Sequence, residues 1–425
     1  MRLKTGYGLS RAVAYSSMLG FMLLVFTSAA RASDCASVTG TGDIHVIGNS
    51  FPALQHIAKR LEACNRKGLK VAVKMSPNAK QEIEQAFDSK GKSSFDAAVV
   101  SMATYSALQS KGQLQSMTDL VEKYRTKFKI EDRMLIKVNG EVTAIAFMQN
   151  AQNLFYRKDL FDKHGIKIPT TYAEMLSAAA VLKTKEPSIE FPIAQTFSKG
   201  FDSATEFTNL YVAFGGKFFK PGTAQATFNN EAGVKAITLM KSLTPFMTPN
   251  YLASNSDDVM NQFQQGKAAM GVLWASRASR MDDAAASKVV GKMEFSAAPK
   301  VSNESKNATH LWWDGVVMPK NIAGNRETVF LLLMEALSEQ TVASGNDLAI
   351  WIRSNYKPSR FATGVMASAK SGAPVWPNEP YFGLAHAEIG KLLPDALTGA
   401  LAPKAALDAA AAAYTKVATE KGFIK

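Results

Sequence analysis

The chain has 425 residues, of which 47% are hydrophobic and 20% are charged, and its formal net charge is +13. Because one compact core rarely grows beyond about 300 residues, we expect two domains. The basic residues are scattered and form no dense block with interleaved aromatic residues, which argues against a nucleic-acid-binding protein.

The first 32 residues predict a bacterial secretory signal peptide. Basic residues precede an apolar run at about 18–26, and Ala-Arg-Ala at 30–32 forms a small-residue cleavage site before Ser33. An uncleaved membrane anchor is the alternative, because residues 12–30 are mostly apolar and a bilayer span needs about 20 such residues. We expect cleavage and export to the periplasm, which would leave 393 residues with a formal charge of +9.

The two cysteines, Cys35 and Cys64, both lie after the predicted cleavage site. In an oxidising compartment they would form one disulfide, joining the segment before the first strand to the end of the first helix. Two thiols and five histidines without paired ligand spacing argue against a metal site, and no Gly-rich phosphate loop is present. We therefore expect neither a metal nor a cofactor.

Short β-type segments alternate with amphipathic helical segments, which predicts an α/β fold with mostly parallel strands. The predicted elements of the first part are, in chain order, strand 43–48, helix 51–64, strand 69–75, helix 79–87, strand 95–102 and, within 109–125, a helix end, a turn at Gly112 and a further helix.

The second part begins at residues 140–176, where a strand, a polar interruption, a second apolar stretch and two helices follow one another. The later of these helices, at 170–183, has Thr170 or Thr171 as its N-cap and Glu174 in its first turn. The remaining predicted elements are strand 190–196, helix 203–216, helix 230–243, helix 256–266, strand 267–274, strand 311–320, helix 325–343 and helix 401–422. No long linker separates two modules, so we expect the chain to cross between the domains more than once.

In this order the motifs resemble those of the extracellular solute-binding proteins of bacterial ABC importers, in the carbohydrate-type group typified by maltose-binding protein. The resemblance depends on the stretches FDAAVVSMATYSALQSKGQL, NGEVTAIAFMQNAQNLFYRKDLFDKHGIKIPTTYAEML, FQQGKAAMGVLWAS, WWDGVVMPKNI and ALTGALAPKAALDAAAAAY. The sequence departs from the usual pattern at Arg157, at Tyr172 and at Trp312-Trp313-Asp314-Gly315, and the last departure alters the wall of the site.

The resemblance implies a two-lobe, type II-like periplasmic-binding-protein fold, with a ligand cleft between α/β lobes that are joined by crossing strands. The N-terminal lobe would comprise residues 33–149 and about 310–354, and the C-terminal lobe residues 150–309 and about 355–425. The first crossing would fall near residues 147–154. It would explain the polar residues of 148–152 as lining of the cleft.

Most candidate ligand contacts follow predicted strands or begin helices, where ligands of α/β folds usually bind. The resemblance implies the others: Gln149, Asn150 and residues 312–314 at the two crossings, and Tyr381 and Phe382 at the position of a stacking aromatic residue. Hydrogen-bonding groups would hold a polar ligand, and aromatic rings would cover its apolar faces. The candidates are Asn49, Ser50, Phe51, Ser101, Met102, Thr104, Gln149, Asn150, Asp202, Ser203, Glu206, Trp274, Trp312, Trp313, Asp314, Tyr381 and Phe382.

Several candidates have a purely structural alternative. Trp274 could equally pack in a core, and Asp202 and Glu206 could be charges favoured near a helix N-terminus. The adjacent Trp312 and Trp313 point in opposite directions in a strand, so we expect at most one to face the cleft. Trp351 and Trp376 are expected to serve core or loop packing and are not candidates.

The leading functional hypothesis is a monomeric periplasmic binding protein, without enzymatic activity, that captures a sugar or related polyhydroxy solute and delivers it to the permease subunits of an ABC importer. An alternative is a binding protein for an anionic solute, such as a sugar acid or phosphorylated polyol. That ligand would require a basic residue in the cleft, and Arg277 and Arg280 are the nearest. A third hypothesis is an exported glycan hydrolase or lyase with Asp202 and Glu206 as acid and base.

Overall fold

The computed structural model describes residues 35–425, so the predicted signal peptide, residues 1–32, lies outside the described residues. Within the described range, the strands in chain order are β1 (Gly42–Gly48), β2 (Leu69–Met75), β3 (Ala97–Ser101), β4 (Leu135–Val138), β5 (Glu141–Asn150), β6 (Gln152–Arg157), β7 (Met270–Trp274), β8 (Met293–Ser296), β9 (Trp312–Val317) and β10 (Ile350–Trp351).

The helices alternate with these strands and cover their faces. In chain order they are α1 (Pro52–Glu62), α2 (Ala79–Phe87), α3 (Met102–Ser110), α4 (Thr118–Phe128), α5 (Lys158–His164), α6 (Tyr172–Lys185), α7 (Phe201–Ala213), α8 (Glu231–Leu243), α9 (Ser256–Gln264), α10 (Arg326–Ala336), α11 (Glu339–Ser344), α12 (Thr363–Lys370), α13 (Phe382–Thr398) and α14 (Pro403–Glu420).

The larger sheet has the strand order β10-β5-β9-β3-β1-β2, with β4 also paired to β5. Strands β1, β2 and β3 pair in parallel, as their helical connections require. The other pairs of this sheet are antiparallel, including β9 with both β3 and β5. The prediction of mostly parallel strands is therefore wrong, because β9 and β10 arrive from distant parts of the chain and run against their neighbours.

The smaller sheet has the order β7-β6-β8 and is antiparallel throughout. The strand predicted at 190–196 is wrong, since this segment makes only a single bridge, from Ile193 to Met270. Pro192 interrupts the segment and has no N–H to donate to a ladder. The segment nevertheless runs very close to β7, because a Cβ atom on Gly271 would lie 1.7 Å from the carbonyl oxygen of Ala194.

Each sheet has its own apolar core, and we call each sheet with the helices packed on it a lobe. Ile44, Phe330 and Leu333 belong to the buried core of the first lobe, around the larger sheet. Phe207 and Tyr414 belong to the core of the second lobe, around the smaller sheet. The cores do not merge across β5 and β6, although these two strands are consecutive in the chain.

Local signals account for many of the element boundaries. Thr171 and Glu174 form a capping box at the start of α6, as the Thr-x-x-Glu spacing predicts. The single helix predicted at 325–343 is divided into α10 and α11, because Ser338 accepts a hydrogen bond from the Thr341 N–H and begins a new helix. The disulfide between Cys35 and Cys64 is present, with their Cα atoms 5.4 Å apart.

Candidate ligand-binding site

The chain passes from the first lobe to the second at the end of β5. The Asn150 side chain is buried there and ties this crossing to the turn that follows β7: its Nδ2 donates to Ser276 Oγ (3.2 Å), and its Oδ1 accepts from the Ser276 N–H (3.3 Å). The ends of β5, β7 and β9 thus meet in one region. We call this region, represented by Phe51, Asn150, Ser276, Arg277 and Asp314, the inter-lobe seam.

Phe51, one of the three predicted contacts after β1, contacts the second lobe. Asn49 and Ser50 are exposed, and Asn49 Oδ1 accepts from the Ser50 N–H (2.6 Å). Phe51 is buried, and the Arg277 guanidinium lies over its ring at 5.5 Å. Because Arg277 belongs to the second lobe, this contact joins the two lobes across the seam.

The predicted contacts after β3 begin α3. Ser101 caps the helix by accepting from the Thr104 N–H at 3.5 Å, and Thr104 is buried. Met102 is partly buried and packs against the core of the second lobe. The N-terminus of α3 therefore lies against the second lobe.

Three tryptophans form an aromatic wall on the second-lobe side of the seam. The rings of Trp274 and Trp312 are 5.3 Å apart and almost perpendicular, and the rings of Trp312 and Trp376 are 4.3 Å apart. Trp313 points to the opposite side of β9 and packs edge-on against Tyr105 of the first lobe at 5.0 Å. This alternation is what an extended strand requires of neighbouring side chains.

Trp376, which like Trp351 was expected to serve core or loop packing, lies in the second-lobe core. It is buried and contacts the rings of Trp312, Phe382 and His386. A small pocket of about 70 Å³ lies beside it, bounded by α2 and α3 residues of the first lobe and by Phe201 and Glu379 of the second. Pro377 and Pro380 indicate a loop after Trp376, and no periodicity distinguishes this tryptophan in the sequence.

Gln152 and Glu206 lie in a buried polar network inside the second lobe. Gln152 Nε2 and Gln195 Nε2 each donate to the Glu206 carboxylate at 2.8 Å, and the Thr196 hydroxyl also donates to it. Asn209 Nδ2 donates to Gln152 Oε1 at 2.5 Å. The expectation that residues 148–152 line a cleft is therefore wrong for Gln152, because its amide is occupied by these partners and it is 1% exposed.

His310 completes this network, which we call the Glu206 network: Gln152, Gln195, Thr196, Glu206, Asn209 and His310. The amide oxygen of Asn209 faces His310 Nδ1 at 2.6 Å, so Nδ1 carries the proton and donates. Burial lowers the pKa of His310 to about 3, which keeps the ring neutral.

Burial also raises the pKa values of three carboxyl groups near the seam. It raises the pKa of Glu206 to about 7, against the hydrogen bonds from Thr196, Gln195 and Gln152. It raises the pKa of Asp314 to about 7 and that of Asp202 to about 6, and the positive charge of Arg277 opposes both shifts. Carboxyl groups that titrate near neutral pH can both accept and donate hydrogen bonds there.

Other candidates are placed apart from the aromatic wall or within packed structure. Gln149 is exposed and pairs with Trp313 and Ile350 in the larger sheet. Ser203 is fully buried in α7, and Phe382 packs within the second lobe. The Tyr381 hydroxyl donates to the carbonyl of Thr223, and its ring packs on Phe219 and Phe423.

Within residues 35–425, neither a metal-binding cluster nor a membrane-spanning helix is found. No group of three or more His, Cys, Asp or Glu side chains in this range could hold a metal ion. No helix in the same range is both long enough and apolar enough to cross a membrane. A pocket of about 590 Å³ on the second lobe, bordered by Asn250 and Gln262, contains none of the predicted contacts.

The sequence matches the profile of a family described as bacterial extracellular solute-binding protein over residues 49–322, more than half of the chain. A mannitol-binding protein from Pseudomonas aeruginosa is 23% identical over 360 residues, which cover 78% of this chain and 82% of that protein.

Solved structures share the fold. A solute-binding protein of an ABC transporter from Agrobacterium radiobacter, in complex with ribitol, gives a TM-score of 0.76 at 22% identity and covers 89% of this chain and 99% of its own. Another from Agrobacterium vitis, with bound D-mannitol, gives 0.74 at 19% identity and covers 91% and 100%. A maltose-bound protein of T. maritima gives 0.75 at 16% identity and covers 88% and 99%. The predicted two-lobe fold is thereby confirmed.

Proposed function

This chain belongs to the bacterial extracellular solute-binding protein family, and we propose that it captures a sugar or related polyhydroxy solute between its lobes and delivers it to the membrane permease of an ABC importer. The observation that carries the proposal is the aromatic wall of Trp274, Trp312 and Trp376 beside the polar inter-lobe seam. Aromatic rings cover the C–H faces of such a solute, while side chains of the seam bind its hydroxyl groups.

The relatives support this ligand class. The relative from Pseudomonas aeruginosa is a mannitol-binding protein, and the two Agrobacterium structures hold ribitol and D-mannitol. Mannitol and ribitol are both uncharged chains of hydroxyl-bearing carbons. The family and the similar structures are of binding proteins, so the proposal assigns no catalytic step to Asp202 or Glu206.

We propose that the lobes comprise residues 33–149 with about 310–354, and residues 150–309 with about 355–425, and that they close over the solute by a hinge motion at the crossing strands. Direct contacts would come from the candidates at or near the seam, and Glu206 would act from beneath by fixing the position of Gln152. The mature protein would be a periplasmic monomer after removal of residues 1–32.

A thermal-shift screen of the chain without residues 1–32 tests the proposal. A ligand that binds only the folded state at a concentration of 100 times its Kd stabilises that state by about 2.7 kcal/mol, which raises the melting temperature by several degrees. We expect such a rise with at least one of D-mannitol, ribitol, D-glucose and maltose, and no rise with glycine or L-leucine as matched controls. Isothermal titration calorimetry then gives the Kd.

The same compounds can contradict the proposal. If none of the four neutral compounds changes the melting temperature or produces heat on titration, while an amino acid does, the proposed ligand class is wrong. Hydrolysis of an oligosaccharide by the purified chain would contradict the assignment as a binding protein only.

A further inference from the structure

Arg277 is a buried cation at the inter-lobe seam whose hydrogen-bonding capacity is only partly used. Its side chain is 12% exposed, and its Nη atoms reach Ser276 Oγ and Asp257 Oδ1 at 3.3 Å each. Its Nε–H is buried and has no hydrogen-bond partner among residues 35–425. Because an unpaired buried donor costs about 1–3 kcal/mol, a group at this position is suited to binding a further acceptor.

Asp314 offers the complementary group. It lies in β9 opposite Ser101 of β3 and Met148 of β5, so the larger sheet presents it at the seam. It is partly exposed, and its carboxylate forms no hydrogen bond or ion pair with any residue in the described range. Arg277 is near enough for the charges of the two groups to influence each other.

The charges around Arg277 determine which solutes the seam accepts. Asp257, Asp202 and Asp314 all interact electrostatically with this single guanidinium. The cluster therefore has more negative than positive groups, and a bound carboxylate or phosphate would add repulsion. A hydroxyl group carries no charge and can accept from Arg277 while it donates to a carboxylate.

We propose that Arg277 and Asp314 form a polar subsite that binds neighbouring hydroxyl groups of an uncharged polyol or sugar, with Arg277 donating and Asp314 accepting. The inference rests on the proposed function and narrows it to neutral solutes. It also gives Arg277 a role different from recognition of an anion, for which Arg277 and Arg280 were the nearest basic candidates. The subsite spans both lobes, because Asp314 lies in β9 of the first lobe and Arg277 follows β7 of the second.

Calorimetric titrations with D-mannitol, ribitol, D-glucose, maltose and D-gluconate test the subsite. D-gluconate is an open-chain polyhydroxy compound with a carboxylate and serves as the charged probe. The variants are Arg277→Met, Asp314→Asn and, as the matched control, Arg280→Met. Arg280 lies three residues further along, is more exposed at 39% and is ion-paired to Asp283 at 2.9 Å.

We expect the wild-type chain to bind at least one neutral probe and to bind D-gluconate at least 100-fold more weakly. Arg277→Met and Asp314→Asn should each weaken binding of the neutral probe by about 10- to 100-fold, and Arg280→Met by less than twofold. Asp314→Asn should also narrow the ratio of neutral to D-gluconate affinity, because it removes a negative charge. A residue with only a structural role would not change this ratio.

Two further results would overturn the proposed subsite. If Arg277→Met and Asp314→Asn bind a neutral probe as tightly as the wild type does, the subsite is overturned and the proposed function stands. The same conclusion follows if the wild type binds D-gluconate more tightly than the neutral probes. Failure of the wild type to bind any of the five probes would contradict both proposals. Thermal unfolding of each variant without ligand identifies loss of folding, and Asp314→Asn, an isosteric change, provides the result if Arg277→Met does not fold.

Discussion

Two polar regions next to the aromatic wall differ in how completely their groups are paired. In the Glu206 network the carboxylate accepts three hydrogen bonds, and the chain of donors continues through Gln152 and Asn209 to His310. In the inter-lobe seam Arg277 Nε and the Asp314 carboxylate have no partner in the described part of the chain.

The difference separates two uses of buried polarity. A paired network in a low-dielectric interior fixes one arrangement of its side chains, and removing a member is costly because its partners stay buried. Polar groups without hydrogen-bond partners do not stabilise the fold until a ligand supplies those partners. Gln195 Oε1 is the exception in the Glu206 network, since it too lacks a partner. The comparison predicts that substitutions in the network change stability, whereas substitutions at the seam and the aromatic wall change ligand affinity.

The largest expected effect is on stability, from Gln152→Leu. This change leaves the Asn209 donor and the Glu206 acceptors without the Gln152 amide, and each unpaired buried group costs about 1–3 kcal/mol, so the free energy of unfolding should fall by about 4 kcal/mol. Urea unfolding followed by circular dichroism measures it. Gln149→Leu, an exposed glutamine of the same crossing, should change it by less than about 0.5 kcal/mol. Equal losses in the two variants would contradict the distinction between paired and exposed amides.

The pH dependence of stability should also depend on the Glu206 network. Burial raises the pKa of Glu206 from 4.5 to about 7, so between these values the folded chain holds a proton that the unfolded chain has lost. The contribution of Glu206 to the free energy of unfolding is fully present below about pH 4.5. It is lost as the pH rises to about 7, and the total loss is roughly 3 kcal/mol.

Urea midpoints of the wild type and of Glu206→Gln between pH 4.5 and 8 test this dependence. The variant should lack the part of the slope that corresponds to one proton, while Glu304→Gln, which removes an exposed carboxylate, should keep the wild-type slope. Parallel curves for all three proteins would show that Glu206 does not take up a proton on folding.

A smaller effect, on affinity, is expected from Trp274→Ala in the aromatic wall. Loss of the ring removes its apolar contact and its stacking on the ligand, which together contribute about 2 kcal/mol to binding. The affinity for the neutral ligand found by thermal shift should therefore fall about 30-fold. Trp351→Phe is the control, because Trp351 lies in the first-lobe core and its Nε1–H donates to the Gly345 carbonyl at 2.9 Å. Calorimetry should show the Kd of this control within twofold of wild type, and an equal loss in both would remove the aromatic wall from the binding site.

The smallest effect is expected from Ser276→Ala, at the tie between the crossing and the turn after β7. The change removes the acceptor for Asn150 Nδ2 and for Arg277 Nη1, which should cost about 1 kcal/mol and weaken ligand binding about fivefold. Ser242→Ala removes a hydroxyl that bonds only within α8, to the Leu239 carbonyl, and should leave the Kd unchanged. Unchanged calorimetric affinity in Ser276→Ala would mean that this tie does not contribute to the bound state.

Much of the fold was predictable because it depends on local signals. Helical and strand periodicity placed the first five elements, and the helix predicted at 401–422 is α14, whose buried face contains Leu407, Ala411 and Tyr414. The strand wrongly assigned to 190–196 has apolar residues suited to a strand, but the chain there bends to supply Gln195 and Thr196 to Glu206. Sequence pattern cannot reveal such a demand, because the partner lies on another element.

The candidate site was predictable only in outline. The rule that ligands bind beyond strand ends selected Phe51 and Trp274, and the family resemblance selected Trp312 and Asp314 at the second crossing. All four lie at or beside the seam in the structure, while their contact with a ligand stays a prediction. The same rule could not find Trp376, which follows no strand and reaches Trp312 from a loop 64 positions further along the chain. Nor could it show which of Trp312 and Trp313 packs on Trp274 of the second lobe and which packs on Tyr105 of the first.

By itself the sequence determined the first five elements, the capping box of α6 and the pairing of Cys35 with Cys64, because each depends on neighbouring residues or on there being only two cysteines. Tertiary structure alone decided which polar groups are paired: Gln152 meets Glu206 across 54 positions, and His310 meets Asn209 across 101. The physical reason is that a hydrogen bond extends only about 3 Å. Whether a buried amide is satisfied or left for a ligand therefore depends on how the two lobes bring distant segments together.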